Sequence, residues 1–448
     1  MRRERRGGAG RPSARRAGGA RAAGYELTTL PGGERVVSER IDGVRSVALG
    51  LWIGTGSRDE TNARAGVSHF LEHLLFKGSE RFDAQAIAEL FDAMGGELNA
   101  ATSRETTVVY TRVPDDALER ALDVMADMVF RPALADVAAE REVVLEEIAM
   151  VDDTPQDLVH DLAAEAVFGP HPLGRPVIGR ADVIASIGRR ALRSHHAAAY
   201  VGPNVVLAAA GNLDHARLAG LFAARRDERP QPLRLARKPL ARPPAPGLRF
   251  LRKETEQYHV CLAGPGLARS DERRYAASLL DAIVGGSASS RLFQEIREKR
   301  GMAYAVYTYA SQYVDAGQVG LYVGTREENL AACLEVAAAE LADVAAGNLR
   351  PGELERAKEN LKGRLLLSLE STASRMTRLG RALVTGTELV PVDEILARLE
   401  AVGAEDVAAL AAELLAPERL SAAGIGPSEE RFLAAVERVN PGLLARAA

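Results

Sequence analysis

Glu140–Ile148 reads EREVVLEEI and Glu355–Gly363 reads ERAKENLKG, so the chain states one helical segment twice. In the first copy Val143, Val144 and Ile148 are spaced to face a core. Glu140 and Glu147 stand two turns apart and share a face, and Lys362 of the second copy stands opposite Glu147. Working outward, the flanking pattern recurs in the same order. Strands near 26–54 lead to helices near 64–94 and a strand near 97–112. Helices near 116–130 and 136–167 follow, then the strand NVVLAAAG (Asn204–Gly211) and a short helix. The second pass has strands near 248–264, helices near 272–298 and strands through Gly324. It ends on helices near 327–346 and 352–382 and on RLSAAGIG (Arg419–Gly426), which echoes the strand closing the first pass. The expected fold class is α+β: two duplicated domains, each a mostly antiparallel β-sheet packed with helices on one side.

Pro230, Pro232, Pro239, Pro243, Pro244 and Pro246 put six of the 21 prolines between the two passes. That cluster marks 229–247 as a linker joining a domain over 25–228 to another over 248–440. The first 24 residues hold eight Arg and one Glu, a net +7, against −4 for the whole chain. They lack the apolar stretch of a secretory signal, and their many glycines make a poor amphipathic helix, so a disordered tail is expected. The remaining residues are acidic, which argues against a nucleic-acid role. No apolar run is long enough to span a membrane. Cys261 and Cys333 are too few for a disulfide scaffold. They are expected to be buried and reduced, and the compartment cytoplasmic.

His69-Phe70-Leu71-Glu72-His73 carries the chemistry. Two imidazoles four residues apart lie on one face of a helix and can reach a single ion, and Glu72 points at the same spot. The pattern H-x-x-E-H inverts the commoner H-E-x-x-H zinc signature. A catalytic zinc site needs a third protein ligand and leaves the fourth position to water. The helix after residue 139 offers Glu140, Glu146 and Glu147. The other histidines are weaker candidates. His195 and His196 are adjacent and diverge on a helix, while His160 and His171 flank an expected helix end, so surface or capping roles are expected for all four. The glycines of WIGTGSRDE (Trp52–Glu60) suggest a phosphate loop only until the missing G-K-[ST] is noted.

With these pieces in order, the chain resembles the pitrilysin family of zinc peptidases, in the branch that contains mitochondrial processing peptidase and its bacterial relatives. The resemblance runs over nearly all of 25–440 and implies the same two-domain fold. That family pairs H-x-x-E-H with a Glu ligand on a second helix. Here Glu147 falls 74 residues after His73, and Glu140 matches the second acidic position one heptad earlier. Gly95-Gly96-Glu97-Leu98-Asn99-Ala100 matches a strand edge where Asn99 and Ala100 lie beside the substrate; a turn or bulge role for Asn99 is the alternative. Gly285–Tyr309 matches the family's C-terminal element, which places Arg297 and Tyr304 at its Arg and Tyr positions. The segment SLLDAIV (Ser278–Val284), opposite the histidine helix, has no His.

The implied cofactor is Zn²⁺, held by His69, His73 and Glu147, with Glu72 as general base. Glu140 would orient a histidine or water, and Arg297 and Tyr304 would hydrogen-bond a peptide carbonyl or the developing oxyanion. Relatives of this length pair into chambers that admit peptides, so a homodimer, or a heterodimer with a metal-free homologue, is implied. Two other readings stand beside this one: a non-catalytic structural or peptide-binding subunit, and a processing peptidase specific for one presequence.

Overall fold

The computed structural model describes residues 24–226, 237, 239–240 and 242–447. The Arg-rich tail and most of the Pro-rich linker expected from the sequence lie outside the described residues. The first half runs β1 (Glu26–Thr29), β2 (Arg35–Arg40), β3 (Ser46–Ile53), α1 (Val67–Leu75), α2 (Ala84–Met94), β4 (Glu97–Thr102) and β5 (Thr107–Pro114). It continues through α3 (Leu118–Phe130), α4 (Val137–Asp152), α5 (Pro155–Phe168), α6 (Ala181–Ser186), α7 (Arg189–Ala199), β6 (Val205–Gly211) and α8 (His215–Ala223). The second half begins with β7 (Leu248–Arg252), β8 (Tyr258–Gly266) and α9 (Arg274–Val284). A π-helical segment, Phe293–Glu298, then leads to β9 (Ala303–Gln312) and β10 (Gly317–Thr325). Helices α10 (Leu330–Ala345), α11 (Glu353–Ser368), α12 (Thr372–Thr385), α13 (Val392–Ala401) and α14 (Ala404–Leu414) precede β11 (Ser421–Gly426), α15 (Glu429–Glu437) and α16 (Pro441–Ala447).

The duplication is plain in the sheets. The first has the order β1-β2-β6-β3-β5-β4 and the second β7-β11-β8-β10-β9. In each, one parallel pair (β2 with β6, β7 with β11) sits in an otherwise antiparallel sheet. Removing β1 makes the two orders match strand for strand. Local chemistry sets the ends of several helices. Asp83 caps α2 by accepting from the Ala86 amide, and Gly95 ends that helix in the left-handed conformation that costs glycine least. Pro155 opens α5, where its missing N–H is no loss.

The expectation of helices on one side of each sheet needs correction. One face of the first sheet, with Val47, Leu49, Leu51 and Ile53, packs under α1, α3, α7 and α8. Its other face, with Val37, Ala48, Trp52 and Val206, is covered by Met376, Leu379 and Val384 of α12, a helix of the second half. Reciprocally, Val159, Ala163, Val167 and Phe168 of α5 cover Cys261, Ala263, Tyr322 and Ile425 of the second sheet. Each half therefore lends a helix to the other. Gly380 lets α12 approach this closely, because a Cβ there would lie 2.0 Å from the Trp52 ring nitrogen. A continuous apolar run such as β3 announces two buried faces but does not say which helix covers the second.

Polar contacts fasten the same junction. The buried Arg58 donates to Glu105 at 2.8 Å and to both carboxylate oxygens of Asp315 at 2.6 and 2.8 Å, while Glu105 accepts from the Val314 amide. A buried guanidinium is tolerable here because carboxylates from both halves pair it.

The register of the repeated helix also needs correction. Glu140 and Val144 are buried in α4, whereas Glu355 and Glu359, the counterparts in the sequence echo, are exposed. The buried line of α11 is Glu353, Leu354 and Ala357, so Lys362 does not occupy the position of Glu147.

Candidate metal centre

Gly66, at φ +93°, starts α1 where a Cβ would lie 2.6 Å from the Ile178 carbonyl oxygen. The side chain of Glu60 supplies the missing cap from outside the helix, accepting from the Gly66 and Ser68 amides at 2.7 Å each. Burial pushes the Glu60 carboxyl up to about 7. Phe70, Leu71, Leu74 and Leu75 bury the inner face of α1 and leave His69, Glu72 and His73 on the outer one. The two imidazoles meet edge to face, with ring centroids 4.7 Å apart. Helix α4 lies against α1, and Glu147 Oε2 comes within 3.7 Å of His69 Nε2 and 3.3 Å of His73 Nε2.

These three residues form the one group of histidine, cysteine or acidic side chains among the described residues that could hold a metal ion. One ligand atom from each lies within 4.8 Å of the others. Glu147 Oε2 and His69 Nδ1 are buried without a hydrogen-bond partner. Burial first, and then His73, push the His69 imidazole down to about 4, so its ring is neutral at neutral pH with a lone pair to give. Two imidazoles and a carboxylate are a zinc donor set, and a bound cation would offset the burial of Glu147 Oε2. The residues present fit the metal.

Glu140 is buried and holds the other side of His73. Its Oε1 lies 2.9 Å from His73 Nδ1, and its Oε2 pairs with Lys77 at 2.7 Å. That contact leaves His73 Nε2 to face Glu147. Glu146, the competing acidic residue, is exposed. Glu72 stands outside the group of three. Thr102, at the end of β4, donates to Glu72 Oε2, and burial is the largest influence holding this carboxyl above its ordinary range, with Glu147 adding to it. Asn99 and Ala100 lie on β4, the exposed edge of the first sheet, where Asn99 Oδ1 accepts from the Ala100 amide at 2.8 Å.

Arg297 and Tyr304 meet each other but not this cluster. The guanidinium lies 4.3 Å over the Tyr304 ring and donates to the Tyr304 carbonyl at 3.2 Å. Tyr304 is 76% exposed. Among the described residues, no hydrogen bond or ion pair joins either one to His69, Glu72, His73 or Glu147.

Three of the four remaining histidines singled out in the sequence are placed differently from expectation. His196 is buried, with Nε2 2.8 Å from the Val129 carbonyl oxygen. His195 meets Ser68 of α1 at 3.1 Å, and burial pushes it down to about 4. His160 lies mid-helix in α5, with Nε2 2.9 Å from the Tyr307 hydroxyl in the layer between the halves. His171 caps a short turn by accepting from the Leu173 amide. Both cysteines are unpaired and buried. Sequence reasoning missed Glu60, Thr102, Lys77 and the buried Tyr200, whose phenol burial and Glu72 push upward. Only Lys77, one turn after His73, carried a helical-spacing signal.

The comparisons with known proteins give the family. Residues 35–181 match the family model described as Insulinase (Peptidase family M16), and residues 186–361 match Peptidase M16 inactive domain. A protein of Streptomyces coelicolor named as an uncharacterized zinc protease is 43% identical over 90% of each chain. The chain belongs to peptidase family M16. A Bacillus subtilis protein, also named as an uncharacterized zinc protease, is 41% identical over 89% of this chain and 98% of its own. A Helicobacter pylori protease shares the M16 fold, with TM-score 0.85 at 21% identity over 91% of this chain and 100% of that one. No described helix is long and apolar enough to cross a membrane.

Proposed function

We propose that this M16 chain is a zinc-dependent endopeptidase that hydrolyses peptides or unfolded segments in an enclosed chamber. The observation that carries this reading is the convergence of His69, His73 and Glu147 on one point, with the half-buried Glu72 beside it and not among the three. Relatives at 41–43% identity that are named as zinc proteases support it.

Zinc bound by His69, His73 and Glu147 would supply a Lewis acid that activates water and polarises the scissile carbonyl. Glu72 takes the attacking water's proton on Oε1, since Thr102 occupies Oε2, and delivers it to the leaving amine. Burial holds its carboxyl above the ordinary range, which makes it a stronger base than a solvated carboxylate. Glu140, anchored by Lys77, fixes the ring of His73. The exposed edge of β4 at Asn99 and Ala100 receives the substrate as an added strand, which recognises backbone more than side chains.

Arg297 and Tyr304 stabilise the oxyanion from a second chain. Their separation from the cluster within one chain supports this, and a twofold dimer would set each second half opposite its partner's first. The setting proposed is cytoplasmic. The test is metal analysis of the purified protein with cleavage of a mixed peptide library. Near-stoichiometric zinc and cleavage abolished by a chelator are expected. Full zinc without cleavage of any peptide would favour a non-catalytic, peptide-binding subunit instead.

A further inference from the structure

The first turn of α1 is held by a carboxylate that the mechanism does not use. Gly66 has no side chain to cap the helix. Glu60, six residues earlier and only 7% exposed, turns both carboxylate oxygens onto the helix start instead. Oε2 accepts from the Gly66 amide and Oε1 from the Ser68 amide. Ser68 stands immediately before His69 and is itself buried, with Oγ 3.1 Å from His195 Nε2 of α7. Packing of Gly66 against Ile178, Gly179 and Ile184 sets where the helix begins. The two bonds from Glu60 set how its first turn is rotated. Rotation matters here, because a metal site tolerates only about 0.5 Å and 10–20° of ligand displacement.

We propose that ionised Glu60 is a positioning residue, which fixes the rotation of α1 so that His69 and His73 converge with Glu147 on a metal ion. The inference rests on the zinc reading of that cluster and deepens it. Each carboxylate oxygen serves one amide, and the negative charge sits at the positive end of α1. A proton on either oxygen turns it from an acceptor into a donor and leaves an amide unpaired. Burial, the largest influence, pushes this carboxyl up to about 7, while the Ser68 amide and hydroxyl, the Gly66 amide and Arg175 pull it down. Arg175 is held by the Ser57 and Glu60 carbonyl oxygens and by Asn62. Asp59 pairs with Arg237, Arg58 pairs with Glu105 and Asp315, and Arg64 is exposed. His195, across Ser68, is pushed down to about 4 by burial and stays neutral around pH 7. Zinc binding needs the ionised carboxylate, so it weakens as pH falls through about 7, beyond what the ligands themselves impose.

The test measures the zinc Kd of the full chain against a competing chelating dye, from about pH 8 down to about pH 6. Wild type is compared with Glu60→Gln, which keeps the shape but never carries the charge. At the upper pH Glu60→Gln should bind zinc about tenfold more weakly, the scale of losing a group that orients a ligand. The gap should close toward the lower pH, where the wild-type carboxyl is protonated as well. Equal affinities at the upper pH overturn the proposal. So does a gap of constant size, which is what a merely structural loss would leave. Where Glu60→Gln does not fold, Glu60→Asp carries the comparison: it keeps the charge but is one methylene short of spanning both amides. Wild-type affinity in Glu60→Asp then overturns the proposal, and several-fold weaker binding upholds it. Affinity is read without substrate, so failure of the peptidase reading shows separately, as protein that binds zinc in this way and cleaves no peptide.

Discussion

Helices α1 and α9 occupy corresponding places in the two halves, and burial aligns them residue by residue. Phe70, Leu71, Leu74 and Leu75 match Leu279, Leu280, Ile283 and Val284. In that alignment Glu72 matches Asp281, and His69 and His73 match Ser278 and Ala282. The carboxylates are treated alike. Each is held above its ordinary pKa chiefly by burial, and each accepts from a threonine on the neighbouring edge strand, Thr102 on β4 or Thr308 on β9. A half-buried carboxylate bonded to a threonine is therefore common to both halves. What the first half adds is two imidazoles and one carboxylate from α4, a group that could hold a metal ion.

The harshest way to break the contrast is to remove the third member of the cluster. Glu147→Gln should release most of the zinc and with it hydrolysis, whereas Glu146→Gln should keep both, read by metal content of the purified variants. Zinc lost only from Glu146→Gln would put the ligand one residue earlier. Glu72→Gln should keep zinc and fold but lose roughly 10²–10⁴-fold in kcat. Asp281→Asn, its counterpart, should leave cleavage unchanged; equal losses in the two variants would erase the distinction between the halves.

The second half is expected to contribute from across a dimer. Tyr304→Phe should lower kcat by about 10²-fold, the scale of losing one oxyanion donor. Co-refolded Glu72→Gln and Tyr304→Phe chains should recover activity, because the mixed dimer holds one intact composite site. Heterodimers shown to form without recovery would place the pair in cis or outside the reaction.

Two smaller effects sharpen the picture of the first half. Thr102→Val removes the donor to Glu72 Oε2 and should cost kcat roughly tenfold, the scale of one hydrogen bond to a charged group. Thr102→Ser should restore most of it, with KM little changed in both. His195 is held down to about 4, below its unfolded value of 6.5. The unfolded chain therefore binds the extra proton first, and the metal-free protein should lose stability as pH falls from 6.5 toward 4. The loss is at most about 3 kcal/mol from this group. Denaturant midpoints across that range should fall less steeply in His195→Gln.

The parts of this architecture legible in the sequence were those set by local spacing. His69 and His73 declare a shared helix face at i, i+4, and the order of strands and helices declares the duplication. The parts that were not legible depend on which surface meets which. Val143 looks like a core residue until α4 is seen to bury Glu140 instead. The echo between EREVVLEEI and ERAKENLKG is real as sequence, but the two helices turn different faces inward. Glu60 and Thr102 reach the site from loop and strand, where no periodicity flags a partner. Helix exchange between the halves left no mark in the sequence, because an apolar stripe on α5 or α12 does not name the sheet it covers.

That exchange has a consequence on the ribosome. The first sheet is complete in sequence at Gly211, yet the helix that covers its second face begins at Thr372. At ordinary synthesis rates the interval is on the order of ten seconds. Throughout it Val37, Trp52 and Val206 face water or a chaperone. The nascent first half is then a substrate for the cell's quality control, and a chain truncated before α12 should be recovered as aggregate, not as a working metal domain.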